Sequence, residues 1–138
     1  MSDFSVNFGN AKTLPDLPEA GSYELVVQEY QIKPRKDGDT AKGFNISLTL
    51  GFASPEYSGL RVFHNLYVNL ENPFAAKYFF EQLTGIPDLA DTEVDLTDAN
   101  QFIGERVGCA LMQETYTNNS GQEKIKLTPI NWDAWYSI

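Results

Sequence analysis

Four of the chain's ten basic residues, Lys33, Arg35, Lys36 and Lys42, fall within ten positions. Further on, Arg61, Phe63 and Tyr67 occur at alternate positions of one segment. A third group, Tyr116, Lys124 and Lys126, flanks the turn Asn118-Asn119-Ser120-Gly121. Clustered cations can follow a phosphate backbone, and exposed flat rings can carry stacked bases, each worth about 1–3 kcal/mol whatever the base. Lys33, Arg35, Lys36, Lys42, Arg61, Lys124 and Lys126 supply the first ingredient. Phe63 and Tyr67 supply the second only if their side of the strand turns outward; otherwise they are core. Tyr30 and Tyr116 pose the same alternative, whereas Trp132 and Trp135 read as a core plug or a protein contact.

Other chemistry has little to work with. One histidine and one cysteine give neither a Cys-x-x-Cys nor a His-x-x-x-His pair, so a zinc site is not expected. Neither glycine-rich phosphate loop is present. His64 alternates with Val62 and Leu66, as a core or rim histidine does, and Cys109 reads as a small buried hydrophobe. Five acids, Asp88, Asp91, Glu93, Asp95 and Asp98, crowd together without the spacing or the glycine of a calcium loop. They read as a solvated loop. No catalytic residue, metal or cofactor is expected.

These groups need elements to position them. Residues 1–20 carry Pro15 and Pro18, and Phe4, Val6 and Phe8 alternate. This arm either adds a strand, crosses to a neighbouring subunit in a homo-oligomer, or is a loosely ordered terminus. The first strand spans Ser22 to Lys33, with Tyr23, Leu25 and Val27 on one face and Val26, Tyr30 and Ile32 on the other. A strand apolar on both faces bends and serves two sheets, as barrel strands do. Pro34 ends it, and Asp37-Gly38 signals a hairpin. The second strand alternates cleanly, Phe44, Ile46, Leu48, Leu50 and Phe52 inward, Asn45, Ser47 and Thr49 outward.

The third strand, Leu60 to Asn69, puts Val62, His64, Leu66 and Val68 on one face. Arg61, Phe63, Asn65 and Tyr67 share the other. Asn72 is then the expected N-cap of a helix with Pro73 at its first position. Ala76, Phe79, Phe80 and Leu83 form one apolar stripe, and Gly85 fits the C-cap. Thr97 or Asp98 is placed to cap a short turn before Phe102. A fourth strand follows at Gly104 to Tyr116, with Val107, Cys109 and Leu111 together. A fifth at 123–130 turns Ile125 and Leu127 inward and Lys124 and Lys126 outward.

Five strands with one helix between the third and fourth give an all-β chain of OB-fold type, a five-stranded Greek-key barrel spanning residues 21–138. Such a barrel binds on strands two and three and on the loops joining strands one to two and four to five. In this chain those loops are residues 34–42 and 117–122, the two places where turn chemistry and positive charge coincide.

Several segments also resemble a known family. Gly21-Ser-Tyr-Glu-Leu, Phe44-Asn-Ile-Ser-Leu-Thr-Leu, Tyr57-Ser-Gly-Leu-Arg-Val-Phe, Asn69-Leu-Glu-Asn-Pro and Gly104-Glu-Arg-Val-Gly108 look like the phage single-stranded-DNA-binding proteins of replication and recombination cassettes, long described only as a domain of unknown function. The likeness covers roughly residues 20 to 130. It implies an OB-fold, sequence-nonspecific binding of single strands and phage or host replication and recombination proteins as partners. Proteins of this kind often end in an acidic recruiting tail. This chain instead ends Asp133-Ala-Trp-Tyr-Ser-Ile138, so tail-mediated recruitment does not carry over.

The net charge of −9 at first argues against a polyanion partner, but the charge is divided into an acidic sector and a basic one. With no 18-residue apolar run, no membrane span is expected. A single cysteine and an N-terminus unlike a secretion signal fit the cytoplasm, that of the host cell if a phage encodes the chain. The expectation is a non-enzymatic protein that coats single-stranded DNA. Its rivals are a protein-interaction or assembly module on the same barrel, favoured by the charge and by Trp132, Trp135 and Tyr136, and an oligosaccharide-binding barrel.

Overall fold

The computed structural model describes residues 17–39, 41–89 and 94–138. Phe4, Val6 and Phe8 of the arm, and Asp91 and Glu93 of the acidic segment, lie outside the described residues. Strands β1 (Gly21–Pro34), β2 (Gly43–Phe52) and β3 (Arg61–Asn69) precede helix α1 (Phe74–Thr84), and β4 (Arg106–Thr117), β5 (Glu123–Pro129) and β6 (Trp135–Tyr136) follow it. All pairings are antiparallel, in the order β3-β2-β1-β4-β5. β6 takes the same edge of β4 as β5, opposite Gly108 and Cys109. The result is a mostly-β chain with one helix, an antiparallel six-stranded open sheet whose outer strands β3 and β5 approach without a ladder between them.

The curvature begins in β1. Leu25, Val27 and Tyr30 are all buried, although strict alternation would place Tyr30 opposite the other two. The register with β2 slips between Val27 and Glu29. That extra residue, Gln28, moves the inward face from odd to even positions and bends the strand. Past the bulge the chain keeps one buried face where the sequence showed two.

Ile46, Leu48, Leu50, Val62, Leu66, Val68, Val107, Cys109 and Leu111 fill the interior. The helix closes it with Ala76, Phe79, Phe80 and Leu83, the expected stripe. Phe79 meets Trp135 edge-on at 4.7 Å, so Trp135 is a core residue. Gly85 caps the helix in the left-handed conformation, φ 75°.

Four expectations need correction. The helix begins one residue late, with Pro73 at the N-cap and no side-chain cap. The turn is made instead by Asn69, whose Oδ1 accepts the N–H groups of Glu71 and Asn72. β4 starts at Arg106 rather than Gly104, because Gly104 sits at φ 91°, outside strand geometry. Ile125 is 52% exposed rather than inward. Beyond Gln113 and its buried partner Leu127, past the start of β1 at Gly21, β4 and β5 run on as a two-stranded ribbon with solvent on both faces. The sixth strand, β6, was not foreseen; its Tyr136 ring lies where a Cβ on Gly108 would be. Asp98 does cap the short turn before Phe102, accepting the Asn100 N–H at 3.1 Å. Among the described residues no helix is long and apolar enough to cross a membrane.

Candidate nucleic-acid interface

The exposed face of β1, β2 and β3 is built in rows. Pairing sets Lys33 beside Asn45 and Asn45 beside Tyr67; Gln31, Ser47 and Asn65 form the next row; Glu29, Thr49 and Phe63 the third. Paired residues of neighbouring strands share a face, so the odd-numbered residues of β3 all turn outward. Phe63 is 71% exposed and Tyr67 37%, which resolves the alternative the sequence left open for both. Four residues separate them, about 13 Å along an extended strand. Arg61 is exposed at the far end of the same row. Asn65 lies between the two rings and donates from Nδ2 to Asn45 Oδ1 at 3.1 Å.

The β1–β2 hairpin folds over the Tyr67 end. Arg35, Lys36, Asp37 and Gly38 make a turn closed by the Gly38 N–H on the Arg35 carbonyl, with Gly38 at φ 74°. Arg35 donates to the Tyr67 hydroxyl at 3.1 Å and to Asp37 at 2.7 Å, and its guanidinium stands 5.8 Å from the Tyr67 ring centre. The Asp39 N–H and, against partial desolvation, the Arg35 guanidinium hold the Asp37 carboxyl below the usual carboxylate range. Lys42 pairs with Asp39 at 3.7 Å. Lys33, Lys36 and Arg61 make no ion pair among the described residues. Tyr67 itself lies over Gly43, whose missing Cβ leaves room for the phenol.

The structure thus brings Lys33, Arg35, Lys36, Lys42 and Tyr67 together and sets Phe63 and Arg61 on the same face. It keeps Tyr116, Lys124 and Lys126 apart, on the β4–β5 ribbon. There Tyr116 is paired with Lys124, and the Lys126 ammonium stands 5.5 Å from the Tyr116 ring centre. Tyr30 leaves the set altogether. It is buried against Phe102, donates to the Leu96 carbonyl at 2.8 Å, and burial followed by the Asp95 charge pushes its hydroxyl up to about 12.

Asn45, Asn65 and Gly43 were missed as site residues. The outward position of the two asparagines was legible from alternation, but no spacing marks an amide as functional. Gly43 was legible only as a strand boundary.

The basic residues divide by location. Lys77 of the helix bonds Glu81 and Asp88, while Arg106, which the register places in one row with Val26, Gly51 and Arg61, bonds Glu24. Among the described residues, the cations left without a carboxylate, Lys33, Lys36, Arg61, Lys124 and Lys126, are all exposed. No protein-family model matches the chain, and no curated protein matches it.

Proposed function

We propose that the protein binds single-stranded DNA without sequence preference, as a non-enzymatic OB-type barrel coating strands during phage replication or recombination. The observation that carries the reading is the outward face of β3. It presents Phe63 and Tyr67 beside the hairpin that holds Lys33, Arg35, Lys36 and Lys42. Flat rings with cations alongside are what sequence-tolerant strand binding requires. The OB assignment draws support from the position of β1 between β2 and β4, from the approach of β3 to β5, and from the helix between β3 and β4. The phage context rests on the sequence resemblance. The rival reading as an assembly module loses Trp135, which is 1% exposed and belongs to the core.

Titration of a labelled oligothymidylate over a range of salt tests the reading. Each phosphate contact on a single strand contributes about −0.7 to the slope of log affinity against log salt. Engagement of all seven candidate cations therefore sets a limit near −5, and the ion pairs of Arg35 and Lys42 make a slope of about −2 to −4 the expected result. Replacing Lys33, Arg35 and Lys36 together should flatten it. Phe63→Ala should weaken every sequence alike, by about 1–3 kcal/mol, without loss of stability. Affinity that stays flat with salt would sink the proposal.

A further inference from the structure

Beyond Tyr67, at the open edge of β3, lies a cleft of about 390 Å³, near the lower end of the range typical of small-ligand sites. Phe74 and Trp132 wall it, edge to face at 5.0 Å, and about half of each ring is exposed. Trp135 and His64 lie at its base, 5.3 Å apart. The amides of Asn65, Asn69, Asn72 and Asn131 stand at its margin, and among the described residues no acidic residue, lysine or arginine lines it.

The backbone adds polar groups. The Leu70 N–H bonds the Lys42 carbonyl, so the even-numbered residues of β3 face β2 in the ladder. The N–H and C=O groups of Asn65 and Tyr67 therefore point the other way, to an edge that no strand pairs among the described residues. Pro129, on the opposite wall, has no N–H to offer them.

Tyr67 and Asn69 belong to two cavities. On one side is this cleft; on the other is a cavity of about 520 Å³ lined by Arg35 and Lys42, with Glu71 also on its wall. We propose that one base of the bound strand leaves the stack and enters the cleft, while its phosphate stays with Arg35 and Lys42 across the Tyr67–Asn69 wall. An uncharged, flat ring with donors and acceptors along its edge matches two aromatic walls, four amides and an unpaired strand edge. A phosphate would find no cation there, and an aliphatic side chain would leave the edge N–H and C=O groups of Asn65 and Tyr67 without partners.

The proposal rests on the single-strand reading, and the test keeps the two separable. Trp132 is one of two tryptophans, and the other is buried, so intrinsic fluorescence reports on this cleft. The full chain is titrated with an oligothymidylate of about thirty nucleotides and with an abasic strand of equal length. Thymine should quench Trp132, and the abasic strand should bind more weakly without quenching. Trp132→Ala should lower oligothymidylate affinity by about fivefold to a hundredfold, the range for loss of one stacked base. Asn131→Ala, at an exposed position, should lower it several-fold and serves if Trp132→Ala loosens the packing on Tyr78. Salt-dependent binding with no quenching and wild-type affinity in both variants would overturn the cleft assignment, leave the strand reading standing, and point to a peptide strand on the open edge of β3. Absence of any binding would overturn both.

Discussion

His64 borders the core beside Trp135, and burial drives its pKa from about 6.5 down to about 4. Between those values the unfolded chain holds a proton that the folded chain does not. Stability is then fully present above pH 6.5, falls as the pH drops toward 4, and levels off below. The shift sets a ceiling of roughly 3 kcal/mol on the loss. Urea midpoints at pH 7 and pH 4.5 should therefore differ more for the wild type than for His64→Gln; equal differences would remove His64 as the cause. That one histidine is a rim residue was legible from its alternation with Val62 and Leu66. The fate of Tyr30 was not, because one inserted residue, Gln28, decides which face it joins. Phe63 and Tyr67 show the same limit. Period two sorts residues into two faces but does not say which face the helix will cover.

At the scale of elements, the hairpin depends on Gly43. Its φ of 155° suits glycine, and a Cβ there would collide with the Val68 carbonyl and come within 2.9 Å of the Tyr67 hydroxyl. Gly43→Ala should cost about 2–4 kcal/mol in chemical denaturation, since strain and overpacking add at one backbone contact. Gly51→Ala is the control. Its Cβ would meet only the end of the flexible Gln28 side chain, and a loss below about 1 kcal/mol is expected. A Gly43→Ala protein as stable as Gly51→Ala would refute this account of the hairpin. Strands β1 to β3, the hairpin and the helical stripe were legible because each has a local signal: alternation, Asp37-Gly38, the repeat from Ala76 to Leu83. The outward position of Ile125 and the existence of β6 were not. They follow from where β1 begins and from Tyr136 settling over Gly108, which are long-range facts.

For the whole molecule, a net charge of −9 coexists with a local cluster of cations at the β1–β2 hairpin, Lys33, Arg35, Lys36 and Lys42. Lys77 and Arg106 are paired with acids, and Lys12 lies outside the described residues. The sum of charges hides this placement, which clustering in the sequence already showed. The sheet itself stays open: β1 pairs on both sides, whereas β3 and β5 only approach each other. That seam should show in hydrogen exchange as a two-residue rhythm. In deuterated solvent the Asn65 and Tyr67 amides should exchange early, and those of Leu66 and Val68, bonded to β2, late. Uniform protection along β3 would mean that the seam is zipped in solution. An added oligonucleotide that slows the early pair alone would make the seam a clock for its own occupancy.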